Sequence, residues 1–299
     1  MKTMSKHIRK PRRDTSATAS DVIGQCLQAA ASRLCEARRS SLSTKELHEL
    51  RIACRRAEAA LRLCRDAADS HAWNWLKRQL RLLRRACNQA RDDDVLRTWV
   101  RRQGSSANRS LRRAIREHRE AVQPRIAELA QRLNNKHRFE RRSQRVVKQL
   151  RMSERTGSTA RQLARRLFDE LHRFVRALPD LRDDASTLHR LRIIGKRLRY
   201  ASELVTQIWP DVELTELNEH LHSLQDRLGA IHDQVVGERR LGERCLRRAG
   251  NAAPLLAQKS RSESLRLQRK FWRWWEACPL ERMLADTTAE VLALMLKRS

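Results

Sequence analysis

The sequence predicts an all-α protein built from two related helical bundles, and three observations support this prediction. Glycine, proline and aromatic residues are scarce among the 299 residues, with 8 Gly, 6 Pro and 4% aromatic residues, whereas leucine, alanine, arginine and glutamate are abundant. Apolar residues recur at the spacing of helix faces along most of the chain. One amphipathic segment also occurs twice, which indicates an internal duplication with pseudo-twofold symmetry.

The first half is expected to form helices separated by short polar breaks. A hydroxyl side chain before an apolar run can accept hydrogen bonds from the free amides of a helix N-terminus, which makes it a typical cap. The candidate caps are Ser16 or Ser20 for the first helix and Ser43 or Thr44 for the second. The predicted helical segments run to about Arg39, from Leu47 to about Asp66, from Trp73 to Ala90, from Asp93 through Trp99, and from Ser110 to Met152 with interruptions near Pro124 and Asn134.

The second half repeats this pattern. Its predicted segments run from Thr159 to Leu178, from Leu188 to the Trp209-Pro210 pair, through Leu217 to Leu228, onward to Arg248, and over two C-terminal helices after a break at Gly250 to Pro254. The C-terminal tryptophans are expected to pack between helices. Residues 1–16 are expected to be a disordered basic arm, and 17–299 a single domain with halves of about 17–152 and 153–299.

The repeated segment is Leu47–Cys64 in the first half and Leu188–Val205 in the second. His48 corresponds to His189, which is a shift of 141 residues. The same shift relates Leu80 to Leu221, Asp92 to Asp233 and Val95 to Val236. A constant offset over this span means that neither half carries a net insertion between its motifs.

Each copy of the repeated helix carries a row of cations beside its apolar face. On a helical wheel with about 100° per residue, the rows are His48, Arg51, Arg55 and Arg62 in the first copy and His189, Arg192, Lys196 and Arg199 in the second. Like charges at this spacing repel by a few tenths of a kcal/mol per pair. A polyanionic ligand would explain the arrangement, because its charge would offset that repulsion.

The overall charge points to the same class of ligand. The formal net charge is +30, which favours a phosphate-rich partner or an anionic membrane surface. The charge is segregated, because residues 211–233 are acidic whereas residues 109–176 are strongly basic. No apolar run is long enough to span a membrane. The seven cysteines form no CxxC pair, so we expect free thiols and a reducing, cytoplasmic environment.

Catalytic and metal-binding motifs are absent from the sequence. It contains no P-loop, GxSxG or HExxH pattern, and no carboxylates are expected to converge on the basic rows. His48 and His189 have no second ligand at the third or fourth position along the helix, so no metal and no cofactor are predicted. Asp92 and Asp233 are expected to cap the next helix or to hold an arginine, the alternative being a metal that bridges them to a bound phosphate. Asp93 and Asp94 are expected in the first turn of a helix.

The two motif pairs resemble the CHAD family (conserved histidine α-helical domain). The pairs are LHELRIACRRAEAALRLC with LRLLRRACNQARDDDVL, and LHRLRIIGKRLRYASELV with LHSLQDRLGAIHDQVV, and both halves show the spacing H-x-L-R-x-x-x-[RK]-R. The resemblance implies an all-helical pair of four-helix-type bundles around a basic central cavity that binds inorganic polyphosphate, often at polyphosphate granules. No ExExK signature of an attached triphosphatase domain is present. Two departures are Asn88 at the position of Gly229, expected to alter a turn after the third helix, and Glu58 at the position of Arg199.

The candidate polyphosphate-binding residues combine the two rows with flanking cations. Arg56 and Arg197 match the family spacing but point about 80–100° away from the rows, and Arg161, Arg165 and His172 share one side of the helix that begins near Thr159. The full set is His48, Arg51, Arg55, Arg56, Arg62, Arg161, Arg165, His172, His189, Arg192, Lys196, Arg197 and Arg199. We therefore predict a non-catalytic polyphosphate-binding protein. The alternatives are a nucleic-acid-binding protein, although aromatic residues for base stacking are few, and a polyphosphate-modifying enzyme. The sequence does not specify the oligomeric state.

Overall fold

The computed structural model describes residues 17–38, 41–67, 70–104, 109–179, 185–243 and 252–297. Over these residues the all-α prediction is confirmed, because the regular structure there is helical. The predicted basic arm, residues 1–16, lies outside the described residues. The helices are α1 (Ala19–Glu36), α2 (Thr44–Leu63), α3 (Ser70–Arg102), α4 (Arg109–Asn134), α5 (Arg138–Arg155), α6 (Ser158–Val175), α7 (Ala185–Ile208), α8 (Thr215–Leu241), α9 (Ala252–Glu276) and α10 (Leu280–Lys297).

The helices of the two halves pack in the same order. In the first half α1 packs on α2, α2 on α3 and α3 on α4, while α5 returns to α1. In the second half α6 packs on α7, α7 on α8 and α8 on α9, while α10 returns to α6. The boundary predicted near residue 152 falls in the last turn of α5. The common packing order agrees with an internal duplication, which stays an interpretation.

Helix α2 begins where the sequence predicts. The Ser43 hydroxyl accepts a hydrogen bond from the Glu46 amide (3.2 Å), and the Glu46 carboxylate accepts one from the Ser43 amide (2.8 Å), which completes a capping box. The cap of α1 is Thr18, whose hydroxyl accepts from the Asp21 amide. The prediction of Ser20 as that cap is wrong, because Ser20 lies inside the helix and donates its hydroxyl to Glu154 (2.7 Å).

The apolar faces form one large core that includes residues from both halves. Cys54, Cys64 and Cys87 belong to it, and burial raises the pKa of Cys64 and of Cys87 to about 12, so these thiols stay protonated and act as small apolar groups. The predicted packing role of the C-terminal tryptophans is also seen, since the Trp274 ring stacks on His220 with centroids 5.0 Å apart. No helix in the described part of the chain has the length and apolarity needed to cross a bilayer.

A second, smaller core joins the far ends of α3 and α8 to α4 and α9. Its buried members are Leu96, Val100, Leu111, Ile115, Leu241, Ala253 and Leu256. Because α2 packs against α7 and α3 against α8, the two repeated helices and the two helices that follow them lie side by side across the boundary between the halves. This arrangement positions the candidate site.

The acidic segment Asp92–Asp94 lies within a continuous helix. Helix α3 runs through it without a break, so the predictions of a new helix at Asp93, of a turn near Asn88, and of Asp93 and Asp94 in a first turn are wrong. The physical reason is that both buried carboxylates find partners on other helices. Asp93 is bound by Arg240 of α8 and lies 2.7 Å from His118 Nδ1, while Asp94 accepts from Arg119 Nε (2.6 Å).

Other predicted breaks have mixed outcomes. Pro124 lies inside α4, so the interruption expected there is wrong. The interruption near Asn134 is present as a short 3-10 turn, in which Lys136 and His137 adopt left-handed backbone angles (φ 50° and 53°). Helix α8 ends at Leu241, earlier than the predicted Arg248, which lies outside the described residues. Pro254 falls in the first turn of α9, where proline is tolerated.

Candidate functional site

Cations from the two repeated helices face one another where α2 packs against α7. Four of them form the group that we call the cationic quartet: Arg51 and Arg55 from α2, Arg192 and Lys196 from α7. The positive charge of Arg55 lowers the pKa of both Arg192 and Lys196 in the other half of the chain. Two cationic rows that are 141 residues apart in sequence therefore share one site.

Burial makes the positive charges of the quartet costly. All four side chains are half-buried. Desolvation is the main cause that lowers the pKa of Lys196 to about 6 and that of Arg51 to about 10, and neighbouring cations add to both shifts. Burial and the neighbouring cations thus disfavour the charged form of the Lys196 amine until an anion approaches.

The two equivalent arginines also have buried donors without an acceptor. Within the described residues, Arg51 Nε and Arg192 Nε are shielded from solvent and make no hydrogen bond. An unpaired buried donor costs about 1–3 kcal/mol. The Arg192 guanidinium lies beside Gly229, where an added Cβ would be 4.0 Å from Nη2. Both donors therefore favour an acceptor, such as a phosphate oxygen, that enters from outside.

Two carboxylates reach the same site, contrary to the sequence-based expectation. Asp92 lies on α3 and Asp233 on α8, both inside continuous helices, so the prediction that they cap helices is wrong. Desolvation by the surrounding protein raises the pKa of each carboxyl, although Asp233 keeps an opening to solvent. The charge of Arg51 opposes this rise at Asp92, and that of Arg192 opposes it at Asp233. Each aspartate therefore lies within electrostatic reach of the arginine of its own half. Among the described residues neither aspartate forms an ion pair with that arginine, so the prediction that they hold an arginine in place stays a prediction.

The histidines of the two repeated helices lie near the cations of the site, which disfavour their protonation. His48 and His189 are exposed, and desolvation together with nearby cations lowers the pKa of both. His189 stacks on His232 of α8 (ring centroids 5.0 Å apart), and the pKa of His232 is lowered to about 3, chiefly by desolvation. A pocket of about 180 Å³ opens here, lined by Leu188, His189, Arg192, Leu228, Ile231, His232, Val235, Val236 and Arg239.

Three residues of the site were missed by sequence reasoning. The charge of Arg91 lowers the pKa of His48 and opposes the rise in the pKa of Asp233. His232 and Arg239 line the pocket beside Arg192. Arg91 and His232 are themselves 141 residues apart, so the repeat could have identified them. Arg239 has no such signal, because its counterpart in the first half is Thr98.

Arg62 and Arg199 mark the ends of the two cationic rows and face internal partners. The Arg199 guanidinium donates to Gln225 Oε1 (2.9 Å) and Glu203 Oε1 (2.7 Å). In the first half the positions of Arg199 and Gln225 are taken by Glu58 and Arg84, which form an ion pair at 3.1 Å. The carboxylates of Glu170 and Glu58 partly offset the charge of Arg62, whose pKa is lowered mainly by desolvation.

The remaining predicted residues lie away from the quartet. Arg56 is exposed, and its charge opposes the rise in the pKa of Cys26 in α1. Arg197 is also exposed, and its charge lowers the pKa of Arg62 and of Lys77. On α6, Arg165 lies near Asp66, and His172 stacks on Phe168 with ring centroids 6.3 Å apart. Arg161 is exposed on the same helix. None of the α6 side chains is among the principal charges that act on the quartet.

The donor set of the site suits an anion better than a metal ion. Over the described part of the chain, no three His, Cys, Asp or Glu side chains form a group that could hold a metal ion. Arginine and lysine surround the two aspartates instead. The absence of a metal and of a cofactor stays a prediction.

Comparisons with known proteins show the family and the fold. A family model described as CHAD domain matches residues 21–242. The fold is similar to the crystal structure of the CHAD domain from the plant Ricinus communis, with a TM-score of 0.61 and 21% identity over 96% of this chain and 98% of that one. It is also similar to PptA from Streptomyces chartreusis, with a TM-score of 0.55 and 17% identity over 87% of this chain and 100% of that one. No curated protein sequence matches.

Proposed function

Because the chain belongs to the CHAD domain family, we propose that the site between its two halves binds inorganic polyphosphate. The observation that carries the proposal is the convergence of the cationic quartet, in which Arg51 Nε and Arg192 Nε are buried without an acceptor. Guanidinium groups suit phosphate oxygens because they donate two parallel hydrogen bonds. A row of linked phosphates would supply acceptors to both halves at once.

The shape of the site favours a chain of phosphates over a nucleic acid duplex. The side chains of the quartet are half-buried, so a ligand has to bring its phosphates below the protein surface. A flexible linear polymer without bases can do this more readily than duplex DNA, which is a stiff rod with a persistence length of about 50 nm. The site itself offers histidine rings rather than tryptophan or tyrosine, which leaves little surface for base stacking.

A competition titration tests this function. Labelled long-chain polyphosphate is displaced by unlabelled polyphosphate or by duplex DNA at equal phosphate concentration, at about 50 and 200 mM salt. We expect polyphosphate to displace the label at lower concentration in both conditions, and its affinity to fall steeply with salt because binding releases counterions. Equal displacement by DNA would favour the nucleic-acid alternative.

Polyphosphate binding is also expected to take up a proton near pH 7.5. The pKa of Lys196 is lowered to about 6, so the free amine is mostly neutral, and an adjacent phosphate favours the charged form. The lowered pKa of His48 and His189 and the raised pKa of Asp92 and Asp233 act in the same direction. Affinity should therefore rise as the pH falls from about 8 to 6.

Isothermal titration in two buffers of different ionisation enthalpy measures this uptake directly. We expect about one proton per site from the lysine, and this contribution should disappear in Lys196→Arg, whose guanidinium stays charged. A wild-type protein that binds polyphosphate without proton uptake would contradict the assignment of a neutral amine to the free site.

We propose that the protein binds polyphosphate without modifying it, and that it acts in the cytoplasm at polyphosphate granules. One observation favours the enzymatic alternative, namely that Asp92 and Asp233 lie at the site with raised pKa. The two readings are separated by incubating polyphosphate with the protein and following chain length on gels. Unchanged length supports the binding function, and progressive shortening supports the enzyme.

A further inference from the structure

A second arginine-rich cleft lies at the junction of α3, α4 and α5. It has a volume of about 260 Å³ and is lined by Trp75, Arg78 and Gln79 of α3, Arg132 of α4 and Arg138 of α5, together with two leucines. We call it the Trp75 cleft. It shares no residue with the cationic quartet or with the pocket beside Arg192, so it requires an explanation of its own.

The turn between α4 and α5 builds this cleft. The left-handed backbone of Lys136 and His137 reverses the chain over a few residues. The reversal places Arg132, from the last turn of α4, and Arg138, the first residue of α5, on the same cleft. Arg138 also lies at the positive end of the α5 dipole, where a cation is disfavoured unless an anion is near.

The cations of the cleft have no internal counter-charge. Arg78, Arg132 and Arg138 are exposed, and none of them forms an ion pair with a carboxylate in the described part of the chain. No acidic side chain lines the cleft. Two exposed arginines of α4 do have such partners, Arg113 with Glu117 at 2.8 Å and Arg116 with Glu120 at 3.8 Å, whereas the exposed Arg125 has none among the described residues. The three cations of the cleft are therefore available to an anion from outside.

The indole ring of Trp75 adds a requirement that phosphate alone does not meet. Trp75 is only partly buried, and the guanidinium carbon of Arg142 lies 4.3 Å from its ring centroid. The guanidinium of Arg142 thus covers part of the ring, and the part of Trp75 that lines the cleft remains for a ligand. Leu82 and Leu133 make the rest of the lining apolar. A ligand that matches this surface combines a planar ring with a negative charge.

We propose that the Trp75 cleft binds a nucleotide, with the base stacked on Trp75 and the phosphate held by Arg132 and Arg138. The cleft, at about 260 Å³, is smaller than typical ligand pockets of about 300–1,000 Å³, so it holds at most a single nucleotide unit. The unit can belong to a free nucleotide or to a single strand of nucleic acid, since both present a base beside a phosphate. This site is separate from the proposed polyphosphate site at the cationic quartet.

Calorimetric titration of the full chain with adenosine 5′-monophosphate tests the proposal, with adenosine, inorganic phosphate and tripolyphosphate titrated in parallel. We expect the nucleotide to bind at least about 10-fold more tightly than adenosine or inorganic phosphate, because only the nucleotide uses both the ring and the arginines. Trp75→Ala should weaken its binding by about 5- to 100-fold, and Trp75→Phe should retain most of it. No nucleotide binding at millimolar concentration would overturn the proposal.

Further variants separate the site from effects on folding and from the cationic quartet. The double variant with Arg132→Ala and Arg138→Ala should weaken nucleotide binding although Trp75 is unchanged. Arg141→Ala, which alters an exposed residue on the same helix as Arg138, should leave nucleotide binding unchanged. Binding of tripolyphosphate should be insensitive to Trp75→Phe. If Trp75→Ala and the arginine pair leave nucleotide affinity unchanged, the cleft is not the site. A single-stranded oligoadenylate that binds more tightly than the mononucleotide, with the same dependence on Trp75, would identify a strand as the source; equal affinity would identify the free nucleotide.

Discussion

Replacing the whole cationic quartet with alanine is expected to weaken polyphosphate binding by at least about 100-fold, because each lost charged hydrogen bond contributes about 1.5–3 kcal/mol. The helical circular dichroism should not change. The free energy of unfolding should stay equal or rise, since the variant removes half-buried positive charges whose repulsion lowers the pKa of Lys196 and Arg51. Binding is measured by fluorescence anisotropy of labelled polyphosphate, and stability by urea denaturation.

A control variant matches both the charge and the residue types of the quartet. Its members are exposed on α4 and α5: Arg125, Arg141, Arg145 and Lys148. Their replacement by alanine removes three arginines and one lysine as well, so the general attraction between protein and polymer falls equally. We expect the control to lose only a small fraction of the affinity. Equal losses in both variants would mean that net charge, rather than the site, determines binding.

Asp94→Ala is expected to lower the free energy of unfolding by about 3–5 kcal/mol. Asp94 and Arg119 are both buried, and Arg119 Nε donates to the carboxylate at 2.6 Å. Removing the carboxylate leaves the buried guanidinium with the carbonyl oxygen of Leu42 as its remaining hydrogen-bond partner. Urea denaturation of the purified variant measures the loss, and an unchanged m-value would show that the unfolding transition itself is the same.

The exposed ion pair of α4 supplies the comparison. Arg113 and Glu117 lie 2.8 Å apart, but more than half of each side chain is exposed. Glu117→Ala should therefore change the free energy of unfolding by no more than about 0.5 kcal/mol. Asp94→Asn, which keeps an oxygen acceptor, should fall between the two. A loss below about 1 kcal/mol in Asp94→Ala would refute a structural role for this buried pair.

The helix pattern could be predicted from sequence wherever local signals decided it. The Ser43 cap and the turn near Asn134 rest on residues whose side chains or backbone preferences act locally. The continuity of α3 could not be predicted, because the acidic segment is stabilised by Arg240 and Arg119 from distant helices. A run of aspartates reads as a helix start until those partners are known.

The site could be predicted in its centre but not at its edges. The repeat identified the quartet because each cation has a counterpart at the same offset. It could not show that Arg199 donates hydrogen bonds to Glu203 and Gln225, since those contacts depend on side-chain orientation. The approach of Asp92 and Asp233 to the cations depends on how α3 and α8 pack, which helical spacing alone does not specify.

The proposed site draws its side chains from helices of both halves, and this has a mechanical consequence. A bound polymer would contact side chains of both α2 and α7, so the two halves could not separate unless the polymer dissociated from at least one of them. A ligand present at about 100 times its dissociation constant adds about 2.7 kcal/mol to the stability of the folded state. The abundance of polyphosphate would then govern how long the protein itself resists unfolding and proteolysis.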